Sequence, residues 1–237
     1  MPSETPRAYS SSPLHALLAH ELSTLAPILG GIYGVWGLQL RPEGPASLTL
    51  PPHLLSGIVE LTVDPEGMAE GALRCDCGQL PFASECFKLI VAQHVLDRVE
   101  HADLMAEQLA RLLAPEGIAL IFGFNPVSLW RFWLRRRRAG SQRQVHFSAA
   151  AAWRKPLQRA HLDVLQIRYV GRFSPWREGN PQGESGRLSH LLGRFRPSWL
   201  MIVRKRRSAL TPLRLASVRA DVKFNPALIP GAHRECA

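Results

Sequence analysis

Apolar residues follow two different rhythms along this chain. Leu14, Leu17, Leu18, Leu22 and Leu25 recur at helical spacing, with His15, His20 and Glu21 among them, and Pro27 is expected to close that helix. Shorter apolar runs follow at Val35–Leu40, Gly57–Val63, Ala72–Cys75, Phe87–Ala92 and Ile118–Phe124, which read as strands one to five. A helix over about Asp103–Leu113 separates the last two, and a Pro115-Glu116-Gly117 turn follows it. Near-continuous apolar runs joined by a helix are the pattern of parallel strands buried on both faces.

Farther on, Ser128 is placed to cap a helix that carries Leu129, Trp130, Phe132, Trp133 and Leu134 and ends in Arg135, Arg136, Arg137 and Arg138. Leu129, Phe132 and Trp133 fall on one face of it at i, i+3, i+4. Phe147–Gln158 predicts another helix, Val164–Val170 a sixth strand and Trp199–Val203 a seventh. Ser174–Arg196, rich in Gly, Pro and Ser, reads as a loop. Residues 1–12 are Ser/Pro-rich and expected to be disordered. The organisation is therefore a tail and leading helix over 1–29, one α/β domain over 30–207, and a basic C-terminal tail over 208–237 expected to be poorly ordered. No internal repeat is visible, and 237 residues suffice for one such domain.

Charge changes this picture. Residues 1–125 hold 6 Lys/Arg against 14 Asp/Glu, whereas residues 126–237 hold 23 against 5. Such asymmetry suits a polyanionic partner, either nucleic acid or an anionic membrane surface, reached through Arg135, Arg136, Arg137 and Arg138; a merely solvated basic face is the alternative. The four cysteines make no paired Cys-x-x-Cys spacing, so they read as reduced thiols in a cytoplasmic protein with no metal site. The start is polar and lacks a secretory signal, and the uncharged run Leu22–Leu40 is too broken by Pro27 and glycines for a membrane span.

In an open α/β sheet, ligands bind beyond the carboxyl ends of the strands. Asp64, which ends the second strand before Pro65, stands where an acid accepts from ribose hydroxyls; it also suits a turn. The span Leu73–Pro126, with Cys75-Asp76, Leu80-Pro81-Phe82, the apolar strand with Gln93-His94 after it, and the helix and strand beyond, resembles the second half of the class I S-adenosylmethionine-dependent methyltransferases of the type 11 branch. Phe122–Arg131 (FGFNPVSLWR) and Leu210–Arg214 (LTPLR) resemble segments of a bacterial subgroup of that branch whose first-strand loop is eroded. The resemblance implies a Rossmann-like fold. Its sheet would have seven mostly parallel strands, the last one antiparallel, with helices on both faces.

The same resemblance implies S-adenosylmethionine as cofactor and methyl transfer to an unidentified acceptor. It gives Asp76 the adenine amino group, with the Cys77 backbone N–H beside it, and sets Gln93 and His94 by the methionine part. At the first strand the chain departs from the family, whose loop there is Asp-x-Gly-x-Gly-x-Gly. Gln39 takes the acid's place, Arg41, Pro42 and Glu43 stand where small residues belong, and Gly44 alone is kept. Without glycines the backbone cannot approach a ligand as closely, which implies a weakened or remodelled pocket. The competing expectation is a non-catalytic relative that binds nucleic acid or an anionic membrane through its basic half. No general base is assigned, and oligomeric state is not legible.

Overall fold

Side chains alternate strictly across the central strands, and each set meets its own helices. The computed structural model describes residues 12–42, 48–64, 67–97, 102–137, 147–171 and 192–206. Its strands are β1 (Tyr33–Pro42), β2 (Leu54–Val63), β3 (Met68–Gly71), β4 (Arg74–Asp76), β5 (Phe87–Gln93), β6 (Leu113–Phe124), β7 (Leu162–Val170) and β8 (Ser198–Lys205). The helices are α1 (Ser12–Ser23), α2 (Ala26–Leu29), α3 (Ala102–Leu112), α4 (Trp130–Arg137) and α5 (Ala150–Arg159). A 3-10 turn covers Leu192–Phe195.

Ile90 of β5, Ala119 and Ile121 of β6 and Trp199, Met201 and Val203 of β8 join one cluster with Leu109 of α3 and Trp153 and Leu157 of α5. Leu89, Val91, Leu120, Phe122, Phe124, Leu200 and Ile202 join a second with leucines of α1 and Trp130, Trp133 and Leu134 of α4. This is the period of two expected of strands buried on both faces. Helices lie on both faces of the sheet, as the resemblance implies.

The strand order is β4-β3-β2-β1-β5-β6-β8-β7. β2, β1, β5 and β6 run parallel, while β8 is antiparallel to both β6 and β7. That is the methyltransferase order with its antiparallel strand in place and one strand more. The addition is β3, which pairs antiparallel with β2 and with β4 and so makes a tight meander where the family has a helix. The sequence shows no apolar run there, because Met68-Ala69-Glu70-Gly71 is held by its hairpin partners.

The connection from β1 to β2 is the second departure. Pro42 pairs with Val63 and Tyr33 with Leu54, so residues 43–53 must travel back along the whole length of the pair. That journey is about 30 Å at a strand's rise per residue. An extended chain of this length reaches about 40 Å, whereas the same residues as a helix would cover only about 17 Å. A crossover that is helical throughout cannot span that distance. Residues 48–53 run without helix, and Leu48 and Leu50 pack onto the α1 face.

Some local expectations are corrected. Pro27 does not close α1 but sits in the first turn of α2, where its missing N–H costs nothing. Ser128 does not cap α4; its hydroxyl donates to the Asn125 carbonyl at 2.8 Å. Trp130, Trp133 and Leu134 form the buried face of α4, while Phe132, and Leu129 just before the helix, stand exposed. The Pro115-Glu116-Gly117 turn lies inside β6, where the register with β5 shifts and Glu116 has a φ of 58°. The chain forms two units, residues 1–207 and 208–237. The expectations for residues 1–11, most of 174–196 and the tail fall outside the described residues. No helix among the described residues is long and apolar enough to cross a membrane.

Gly123 faces Trp199 across β6 and β8, and a Cβ on it would lie within 2.8 Å of three ring atoms. Trp199 is fully buried and its indole N–H donates to the Ser148 carbonyl at 2.9 Å, so the ring cannot step aside. Gly123→Ala is expected to lower unfolding stability by about 1–3 kcal/mol through overpacking. Urea denaturation should show no comparable loss for Gly193→Ala, where a Cβ meets nothing within 4 Å.

Candidate functional site

α1 carries a charge on its apolar side. Leu14, Leu18 and Leu22 are buried there, and so is Glu21, which is wholly inaccessible. A buried carboxylate is tolerated only when paired and hydrogen-bonded. Its partners come from the carboxyl end of β5. Glu21 Oε2 accepts from Gln93 Nε2 at 3.0 Å, and the His94 Nε2 stands 3.0 and 3.1 Å from its two oxygens. Gln93 Nε2 also donates to the Leu18 carbonyl at 3.1 Å. The other His94 nitrogen, Nδ1, faces Asp97 Oδ2 at 3.0 Å, and that oxygen accepts the Phe124 N–H at 3.0 Å.

His94 therefore lies between two carboxylates, and it satisfies both as a doubly donating imidazolium. Burial by itself would push its pKa down, and that is the largest single influence. The Glu21 charge and the hydrogen bonds to Asp97 and Glu21 together outweigh it and hold the group at about 10. Burial raises the Asp97 pKa, opposed in part by the hydrogen bond and charge of His94 and by the Phe124 N–H. The His94 ring stacks on Phe124 with centroids 3.8 Å apart, a contact that favours a cationic ring. His94 also holds a φ of 52°, a left-handed conformation that is uncommon outside glycine and concentrates at functional sites.

Gln39 lies on the same face as this network, because Leu38 and Leu40 beside it point into the opposite cluster. It is fully buried, and neither its amide nitrogen nor its amide oxygen has a hydrogen-bond partner among the described residues. Gln93 Oε1 and Asp97 Oδ1 are likewise buried and unpartnered. Native interiors leave few such atoms without a partner.

The remaining sequence candidates sit at the ends of β2 and β4. Asp64 Oδ1 accepts the Met68 N–H at 2.8 Å, and the Asp64 N–H donates to the Met68 carbonyl at 2.9 Å. Asp76 Oδ1 accepts the Gly78 N–H at 2.7 Å. Each acid thus holds its turn with one oxygen, and the other has no partner among the described residues. Met68 pairs with Asp76, and the Cys77 N–H donates to the Gly67 carbonyl at 2.9 Å, so the meander brings both acids to one end of the sheet. Gly44 lies outside the described residues. The structure thus sets the candidates in two groups, Asp64, Asp76 and Cys77 by the meander and Gln39, Gln93 and His94 under α1.

Sequence reasoning missed three contributors. Glu21 was visible as an acid on an apolar stripe and Asp97 as a residue three past His94, but only the fold joins them. Arg111, in the last turn of α3, donates to the Leu80 and Phe82 carbonyls at 2.6 and 2.7 Å and so fixes the Leu80-Pro81-Phe82 turn.

The methyltransferase domain family matches residues 59–121 of the chain. Among solved structures, a Listeria monocytogenes protein described as an S-adenosylmethionine-dependent methyltransferase is similar at a TM-score of 0.52 and 10% identity, over 81% of this chain and 99% of that one. The N-methyltransferase NodS of Bradyrhizobium japonicum is 17% identical, over 83% of this chain and 98% of that one, at a TM-score of 0.49. A search of curated proteins found no match.

The buried triad makes stability depend on pH in a definite direction. The folded pKa of His94 is raised from 6.5 to about 10. Its stabilisation is therefore complete below pH 6.5 and is lost as pH climbs toward 10. Unfolding free energy measured from pH 6.5 to 10 should fall by up to about 1.4 kcal/mol per pH unit. Glu21→Gln should cost about 3 kcal/mol at neutral pH by leaving a buried cation short of one partner, and should flatten the pH slope. A slope unchanged in that variant would place the titration elsewhere. The matched segment, the strand order and the antiparallel β8 agree, and the chain has the Rossmann-like fold of the S-adenosylmethionine-dependent methyltransferases it resembles.

Proposed function

We propose that this protein methylates an acceptor with S-adenosylmethionine held across the carboxyl ends of β1, β2, β4 and β5. The observation that carries the reading is Gln39, a buried amide in the carboxyl half of β1 with both polar atoms unpartnered among the described residues. An amide can accept from an ammonium and donate to a carboxylate, which fits the methionine part of the cofactor. Gln93, with its oxygen unpartnered, fits the same part. Asp64 and Asp76 keep one oxygen each for the ribose hydroxyls and the adenine amino group. The residues present therefore fit the cofactor, although the acid and glycines of the first-strand loop are missing.

When bound, the cofactor supplies an electrophilic methyl group on a sulfonium centre. The protein's share is to hold the acceptor in line with that methyl and to exclude water, and strong basicity is not needed for this. His94 is not placed as a base, since both ring nitrogens already face carboxylates and the ring is charged at neutral pH. Its role is to fix Glu21, and through it α1, over the crevice.

Calorimetric titration with S-adenosylmethionine and S-adenosylhomocysteine tests the reading. Wild-type protein should bind both, Gln39→Ala should lose roughly 1–3 kcal/mol of affinity by leaving buried ligand groups unpaired, and Asp76→Ala, at an exposed position, about 0.5–1.5 kcal/mol. Binding that is unchanged in both variants would put the site elsewhere. A wild type that binds neither compound would be a non-catalytic member of the family.

A further inference from the structure

At the carboxyl end of β6 a patch forms that the methyl-transfer reading does not use. Asn125 builds it. Its side-chain N–H groups donate to the Arg194 and Arg196 carbonyls at 2.6 and 2.9 Å, its Oδ1 accepts the Val127 N–H at 3.2 Å, and its carbonyl takes the Ser128 hydroxyl. One residue thereby ties the loop leading into α4 to the 3-10 turn Leu192–Phe195.

What these two segments show to solvent is unusual. Val127 is 64% exposed, Leu129 52%, Phe132 65% and Phe195 46%, although Trp130, Trp133 and Leu134 beneath them are buried. Arg135, Arg136 and Arg194 are exposed beside them, and none has a carboxylate partner among the described residues. Several basic residues elsewhere are matched: Arg159 with Asp103, Arg204 with Glu116, Lys205 with Glu85 and Arg206 with Asp163. Neither residues 125–137 nor residues 192–206 contain a single acid.

We propose that this patch is a docking surface for an anionic lipid bilayer. Unmatched arginines fit lipid phosphates, and exposed aliphatic and aromatic side chains fit the boundary between headgroups and acyl chains. The aliphatic members decide between partners. A nucleic acid rewards cations and aromatic faces, but gains nothing from Val127 and Leu129, whereas insertion into a bilayer uses them directly. The patch lies at the carboxyl ends of the strands, the same end as the proposed cofactor site. On the methyl-transfer reading, on which this last step alone rests, the acceptor is an amphiphile reached from the bilayer surface.

Flotation of the full chain with vesicles of phosphatidylcholine, with and without roughly 30% phosphatidylglycerol, is the test. Wild type should float with the anionic vesicles at about 0.1 M NaCl and much less at about 0.5 M. Replacing Arg135 and Arg136 by Gln should weaken partitioning on the order of twenty-fold, about five-fold per arginine. Leu129→Ser combined with Phe132→Ser should weaken it as well, and the loss should persist at high salt. All four positions are exposed, so near-ultraviolet circular dichroism should match wild type in both variants. Calorimetry with S-adenosylmethionine should also be unchanged, which keeps a failure of docking distinct from a failure of the cofactor site. Absence of flotation at low salt overturns the proposal. So does binding to single-stranded RNA that the arginine variant loses while the Leu129/Phe132 variant retains both RNA and vesicle binding.

Discussion

Parallel neighbours in a sheet have to be joined by a chain that returns to its starting end, and here the connection between β1 and β2 is too short to return as a helix. The consequences spread through the molecule. The helix that usually covers these two strands is missing, and with it the amino-terminal helix end that would face a ligand. Leu48 and Leu50 cover part of the face as an extended strap, and α1 and α2 cover much of the rest. The amino ends of the pair stay bare, so Tyr33, Val35, Trp36 and Leu54 remain at least half exposed. β3 follows the same economy of chain, replacing the next crossover by a hairpin.

Because α1 closes the face, the polar ends of β1 and β5 are enclosed with it, and their chemistry has to be completed from α1. Glu21 does so. A lone histidine in this position would be neutral, since burial disfavours the charged ring. Two carboxylates reverse that preference and make the ring a fixed cation bridging α1, the end of β5 and, through Asp97 and the Phe124 N–H, the end of β6. Removing either acid leaves a buried charge unmatched, so the three groups stand or fall as a unit. The left-handed backbone of His94 is what turns the ring toward both partners just after the strand ends.

The sheet's centre was legible in the sequence because β5 and β6 are buried on both faces and their apolar runs are unbroken. Their outer neighbours were less so. β1 begins two residues earlier than its apolar run because Tyr33 and Gly34 are carried by pairing with β2, and β3 has no apolar signature at all. Of the candidate site residues, Asp64 could be named from its strand end and Asp76 only through the family resemblance. The loss of the glycine loop was visible too, but not its cause, since the strap only becomes unavoidable once both strands are seen to run ten residues. Glu21 and Asp97 lie far apart in sequence and meet only through tertiary packing, which no local pattern encodes.

The two groups of candidate residues differ in solvation, and that difference bears on how a cofactor would be held. Asp76 is exposed and Asp64 half-buried, so hydrogen bonds made there exchange with water and contribute modestly. Gln39 and Gln93 are wholly buried, where an unpartnered amide is costly and a matched one correspondingly favourable. On the proposed reading, the methionine end therefore decides affinity and the adenosine end decides placement. That reverses the emphasis of a glycine-loop pocket, in which close backbone approach does much of the holding. On that reading, a chain that has lost the loop still holds its cofactor through buried polar atoms, such as those of Gln39, that lie without partners among the described residues.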